Sequence, residues 1–249
     1  SNIEAIVLGL IQGLTEFLPI SSSGHLEIGK ALFGNIHDAN ESLLMTLVLH
    51  LGTALSTIFV FKKEIFKILS SLLKLKIDEN TLFALKIVVS MIPAIIIGIL
   101  FQQKIKTLFS NNLILVGVMF LITALILNLA KGVSNKFKMV NFKNSFILGI
   151  IQAIAILPGI SRSGSTISMA LILGIDKQKA AQFSFLMVLP IIFGSMFKIF
   201  LDIKKTSVDI DYLSLGLGFF ASFASGIFAC KWMIAIVRKS KLKNFIEET

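Results

Sequence analysis

The chain has 249 residues, 55% of them hydrophobic and only 15% charged, with a mean hydropathy of +0.88. That balance excludes an ordinary water-soluble domain, because far too much apolar surface would face solvent. The net charge of +10 does not make it a nucleic-acid binder either: the lysines sit in short connections between apolar runs, as membrane topology demands, rather than along one polar face.

In chain order, the first apolar stretch, 2–33, carries Glu4, Gln12 and Glu16 and lacks a basic start, so it does not read as a cleavable signal. FLPISSSGH interrupts its centre. Neither half then reaches the roughly 20 residues that cross a hydrocarbon core. Spanning helices are predicted at about 43–61, 81–101 and 112–130. A second interrupted stretch, 144–174, has ILPGISRSGST at its centre, and two more spans are predicted at 180–201 and 212–231 before the polar ending KSKLKNFIEET. Pro93 and Pro190 are expected to kink their spans. Cys230, the single cysteine, excludes an internal disulfide or a multi-cysteine metal site and reads as packing.

Broken helices at bilayer depth are tolerated only where protein or a polar cavity satisfies the freed backbone groups, so 2–33 and 144–174 are predicted to be re-entrant hairpins. They also resemble each other: GLIQGLTEFLPISSSG at 9–24 against GIIQAIAILPGISRSG at 149–164, with Gln12 matching Gln152 and Ser22 matching Arg162. This is an internal duplication. The fold class is therefore an all-α polytopic membrane protein, a single domain over 1–249, with a first repeat over 1–131 (hairpin plus three spans) and a second over 144–249 (hairpin plus two). A sixth span is expected to be missing at the C-terminus.

Five Lys in 62–79, four in 131–143 and five Lys/Arg in 231–243 face none in 34–43, two in 102–111 and two in 202–211. The basic side is cytoplasmic by the positive-inside rule. The first hairpin then enters from outside and the second from the cytoplasm, an inverted-topology repeat whose tips meet near the midplane.

Ionisable groups at bilayer depth are costly and mark function by default. Here they are Glu16, His25, His50 and Arg162. Gln12 and Glu16, spaced i, i+4, share a helix face. Pro19 ends that half-helix, Ser21, Ser22 and Ser23 cap the next, and His25 follows Ser22 by three residues, placing hydroxyl, imidazole and carboxylate together. After Pro158 and Gly159, residues Ser161, Arg162, Ser163, Gly164, Ser165 and Thr166 open the second half-helix. Two helix N-termini converging on one place form an anion site. Arg162 adds a planar fork suited to phosphate. Gln152 supports this site as the counterpart of Gln12. His50, mid-span in LVLHLGTALS, is as readable as a structural histidine as it is as a supporting site residue; His37, in the acidic loop HDANE, reads as solvated.

GLIQGLTEFLPISSSGHLEIG followed by LPGISRSGSTIS resembles the two signature segments of the bacterial undecaprenyl-diphosphate phosphatase family, associated with bacitracin resistance. LVLHLGT and AAQFSFLMVLP extend the resemblance over nearly the whole chain. The resemblance implies hydrolysis of the terminal phosphate of a polyprenyl diphosphate in the bacterial inner membrane, recycling the lipid carrier for cell-wall synthesis. It puts Ser22 and His25 on the catalytic serine and histidine and Arg162 on the diphosphate-binding arginine. Gln12 and Glu16 fill the family's pattern of Glu or Gln, three residues, then Glu.

In that reading His25 is the general acid/base and Ser22 is either nucleophile or phosphate ligand. Glu16 orients His25 or holds a divalent cation, Mg²⁺ or Ca²⁺; no organic cofactor is expected. Ser161, Ser163, Gly164, Ser21, Ser23 and Thr166 join Arg162 around the phosphate. The expected partners are the lipid substrate and the bilayer, with a homodimer left open and no nucleic acid. The rival reading is a polyprenyl-phosphate flippase or secondary transporter, since broken helices in inverted repeats also build carriers.

Overall fold

The computed structural model describes residues 1–34, 39–101, 112–133, 138–203 and 211–238. Among them every element is a helix except an isolated bridge between Lys138 and Ile175.

The first apolar stretch is two helices, α1 (Asn2–Phe17) and α2 (Ser22–Leu32). The residue before a proline is driven out of the helical region. Leu18, before Pro19, accordingly has ψ 150 and ends α1. The second stretch breaks likewise into α7 (Phe142–Ile154) and α8 (Arg162–Ile172). Between the two broken pairs lie α3 (Ala39–Val60), α4 (Lys62–Leu73), α5 (Glu79–Leu100) and α6 (Leu113–Leu129); after them come α9 (Lys177–Met187), α10 (Leu189–Ile203) and α11 (Tyr212–Arg238).

Among the described residues four stretches are long and apolar enough to cross a membrane: Glu41–Val60, Glu79–Leu100, Lys177–Phe197 and Tyr212–Val237. The chain is thus a multi-pass membrane protein. Two details differ from the sequence reading. The span expected at 180–201 is two helices in line, starting at the Asp176 cap and broken at Val188, just ahead of Pro190. Pro190 cannot donate into the helix, whereas Pro93 stays inside a continuous α5. The span expected at 112–130 is α6, apolar but only 17 residues long. The expected ending at 239–249 lies outside the described residues.

Small residues let the helices approach closely where no hydrophobic force drives them together. On α1, a Cβ at Gly9 would strike the Gly218 carbonyl and Ala221 of α11, and one at Gly13 would strike Ser225 and Ser222. On α7, a Cβ at Gly149 would strike the Ser90 backbone of α5. Each broken pair therefore lays its first helix against a spanning helix. Hydroxyls stitch α3 to α11: Ser222 Oγ donates to the Leu49 carbonyl at 2.7 Å and Ser56 Oγ to that of Phe223 at 2.8 Å. Phe17, Phe183, Phe185, Met187, Leu148 and Met233 fill the core beneath the site, with Phe17 and Phe185 edge to face at 5.4 Å.

Candidate active site

Glu16, at the end of α1, is buried and collects donors from three directions. Gln12 Nε2, one turn back, donates to Oε2 at 3.0 Å; Ser22 Oγ, on the first residue of α2, donates to the same oxygen at 2.6 Å. Arg162, the first residue of α8, pairs with Oε1 through Nη2 and donates through Nη1 to the Ser184 carbonyl at 3.0 Å. The carboxylate therefore joins residues 146 positions apart. Thr53, Ala54 and Thr57 of α3, with Phe185, Val188 and Ile192, close around Glu16 and Arg162.

The two breaks are packed into each other. A Cβ at Gly24 would lie 3.1 Å from Gly159 Cα, and one at Gly164 would lie 3.0 Å from Pro19 Cβ. Ser163 Oγ donates to the Leu18 carbonyl at 3.0 Å, so the second turn is bonded to the first. Ser21 caps α2 and Ser161 caps α8, each accepting from the N–H three residues on, of Gly24 and Gly164. Ser23 and Ser163 lie within 3.4 Å of those caps' hydroxyls. Ser21 holds this position at φ 67, a region costly for a side chain with a Cβ and tolerated where surrounding contacts enforce it.

The histidines behave alike and differ in place. His25 Nδ1 lies 2.8 Å from the Ser21 carbonyl and His50 Nδ1 lies 2.7 Å from that of Thr46. A carbonyl only accepts, so in each neutral ring Nδ1 carries the proton and Nε2 keeps its lone pair. The sequence reading had Glu16 beside His25. The histidine next to Glu16 is instead His50, with Nε2 3.9 Å from Oε2, while the His25 ring lies against Phe120, centroids 5.2 Å apart.

Thr166 is brought in by its hydroxyl, 2.6 Å from Ser184 Oγ. Two residues the sequence reading missed hold the site in shape. Ser184 of α9 takes Arg162 and Thr166; Thr123 of α6 donates to the Gly159 carbonyl and accepts from the Ser161 N–H, both at 3.0 Å, spanning the second turn. A single hydroxyl in an apolar run leaves no local sequence signal. Gln152, counterpart of Gln12, is buried with neither amide atom hydrogen-bonded among the described residues, as is Ser165 Oγ, so neither joins the Glu16 cluster. His37 lies outside the described residues.

Comparison with known proteins agrees over nearly the full length. A protein from Christiangramia forsetii named undecaprenyl-diphosphatase is 55% identical over 242 residues, covering 97% of this chain and 92% of the relative. Proteins of the same name from Bacteroides fragilis and Methanococcus vannielii are 47% and 42% identical, each covering 97% of this chain and 92% and 94% of the relative. The profile of the family described as bacitracin resistance protein BacA matches residues 5–247, and the chain belongs to that family.

Proposed function

We propose that this chain is an integral membrane phosphatase that converts undecaprenyl diphosphate to undecaprenyl phosphate and orthophosphate, recycling the lipid carrier for cell-wall synthesis in the bacterial inner membrane. One observation carries the reading: a single buried carboxylate, Glu16, holds both a serine hydroxyl at one helix N-terminus and an arginine at another. Helix N-termini and a guanidinium favour a diphosphate. The hydroxyl supplies a nucleophile. The relatives' shared name supports the same reaction.

The terminal phosphate takes Arg162 from Glu16, which leaves the carboxylate free to accept the Ser22 proton. Ser22 Oγ then attacks the terminal phosphorus; the bond from that phosphorus to the bridging oxygen breaks, and the lipid monophosphate leaves. His25, whose Nε2 lone pair is kept by the Ser21 tether, takes a proton from a water whose oxygen attacks the phosphoserine; the bond from Ser22 Oγ to phosphorus breaks, the serine oxygen takes its proton back from Glu16, and orthophosphate leaves. Arg162 and the N–H groups of α2 and α8 stabilise the charge on the phosphoryl oxygens throughout.

A divalent cation fits this site as a companion of the substrate. Among the described residues Glu16 is the one carboxylate in the cluster, and the adjacent Gln12 Oε1 is buried without a hydrogen-bond partner. Mg²⁺ is commonly held by one or two carboxylates plus phosphate oxygens and water. Glu16 and Gln12 would hold it, and it would neutralise charge on the diphosphate.

The two broken pairs are re-entrant hairpins related by an inverted repeat over 1–131 and 144–249. Reciprocal packing supports this: Gly24 meets Gly159 as Gly164 meets Pro19. A carrier would need Arg162 but gains nothing from Ser22 held by a carboxylate, and the relatives lend the flippase reading no support.

The test is phosphate release from polyprenyl diphosphate by purified protein, with and without chelator, coupled to acid quench and mass spectrometry of the Ser22 peptide. Turnover with a phosphorylated Ser22 is expected. Absence of hydrolysis would overturn the function, and turnover without phosphopeptide, surviving Ser22→Ala, would overturn the nucleophile.

A further inference from the structure

α4 contributes no side chain to the site. Its inner side faces the protein through Ile65, Ile68 and buried Ser71, while Phe66 (72% exposed), Leu69 and Leu73 (85%) form an outward apolar stripe, spaced as one helix face. Exposed Lys63 and Lys67 border it. Past the helix end, Leu73-Lys74-Leu75-Lys76-Ile77 alternates apolar and basic residues, with Leu75 90% and Ile77 89% exposed. Lys62, Lys63, Lys67, Lys74 and Lys76 face one acidic residue in this segment, Glu64.

Leu75 has φ 50, in the left-handed region that closes helices and is normally given to glycine. The closure is well made, with Lys76 N–H to the Ser71 carbonyl at 3.1 Å, yet it turns a leucine fully outward. The turn is also pinned to α5: Ser71 Oγ donates to Asp78 at 2.7 Å, Asn80 Nδ2 to Ser71 Oγ at 3.2 Å, and Thr81 Oγ1 to the Lys76 carbonyl at 2.6 Å. An exposed leucine held rigidly in a strained conformation gains nothing in water. The junction of α3 and α4, at the other end of this helix, carries its own marker of depth: Lys62 Nζ and Lys231 Nζ lie 5.2 and 5.9 Å from the Phe59 ring, and Trp232 follows Lys231 on α11. Lysine and tryptophan together are anchors of the headgroup layer.

We propose that α4 and the Leu73–Ile77 turn form a binding surface for anionic phospholipids of the surrounding bilayer. Phe66, Leu69, Leu73 and Leu75 enter the acyl boundary, and Lys63, Lys67, Lys74 and Lys76 take the phosphate headgroups. A zwitterionic lipid meets the apolar stripe equally well but leaves the excess positive charge unanswered; each lysine near an anionic surface is worth about fivefold in binding. The surface is separate from Glu16 and Arg162 and stands whatever reaction they perform.

The experiment places a tryptophan at the stripe (Phe66→Trp, with Trp232→Phe) in nanodiscs holding brominated phosphatidylglycerol or brominated phosphatidylcholine at equal mole fraction. We expect quenching about twofold stronger with the anionic lipid. The excess should shrink in high salt and vanish when Lys63, Lys67, Lys74 and Lys76 are all changed to Gln, with the melting temperature unchanged. Equal quenching by both lipids overturns the proposal, as does an excess that survives the four substitutions. Quenching by neither lipid removes α4 from the bilayer. Relief of quenching by polyprenyl diphosphate at low mole fraction assigns the surface to substrate capture instead.

Discussion

Replacing Glu16 by Gln and by Asp separates the two tasks of its carboxylate. Glu16→Gln keeps the shape and loses the charge: the amide can no longer take the Ser22 proton, and Arg162 is left beside the Ser184 carbonyl without a counter-ion. A general base contributes about 10²- to 10⁴-fold, which is about 3–5 kcal/mol of barrier. Stripping one partner from a buried ion pair costs about 3–5 kcal/mol of stability. Arg162 is 14% exposed, so the lower end of that range applies. Glu16→Asp keeps the charge near Arg162 but withdraws the carboxylate by one bond, about 1.5 Å. The 2.6 Å contact with Ser22 is then too long for a hydrogen bond. The Asp variant should therefore melt close to wild type yet turn over as slowly as the Gln variant. Phosphate release at saturating substrate, with melting curves on the same samples, decides it. Wild-type turnover by Glu16→Asp, or a Gln variant within tenfold of wild type, would refute Glu16 as the acceptor of the Ser22 proton.

Arg162→Lys keeps the charge but cannot reach the Ser184 carbonyl and a second partner together, so kcat/KM should fall about 10²-fold with folding intact. Gly164→Ala would put a methyl 3.0 Å from both Pro19 Cβ and Ser161 Oγ and should cost about 1–3 kcal/mol in thermal unfolding. Gly98→Ala in α5, with nothing within 4 Å among the described residues, should stabilise by comparison. Asp78 caps α5, and bonds from the Thr81 N–H and the Ser71 hydroxyl hold its carboxyl below the ordinary 3.8. A depressed carboxyl contributes stability that is fully present above its unfolded value and is lost as pH falls through the folded one. Melting temperature should therefore drop on acidification below about pH 4, and Asp78→Asn should melt lower at neutral pH but lose that part of the acid dependence.

Both breaks were legible because proline and serine act locally: Pro19 fixes the end of α1 through Leu18, and Ser21 and Ser161 open α2 and α8 as caps. Gln12 and Glu16 were legible through helical spacing. The choice of histidine at Glu16 was not. Spacing of three put His25 with Ser22, but its Nδ1 bonds the carbonyl four residues back, and only the packing of α3 against α1 brings His50 to the carboxylate. Ser184 and Thr123 escaped for the same reason, since their partners are 22 and 38 positions away. α4 escaped differently: its lysines read as a connection between spans, although Phe66, Leu69 and Leu73 already showed helical spacing.

The Glu16–Arg162 pair also acts as a built-in competitor. Any anion seeking the guanidinium must first displace a carboxylate already bound to it, and the free energy of that displacement is subtracted from its affinity. Dissolved orthophosphate, arriving from water at low concentration, bears this penalty in full. A diphosphate on a polyprenyl chain is already concentrated in the plane of the bilayer and brings a second phosphate group to offset the same cost. If Arg162 takes the diphosphate as proposed, this one internal salt bridge would filter ligands by how they travel, admitting substrate delivered through lipid and releasing the phosphate product as Glu16 regains the guanidinium.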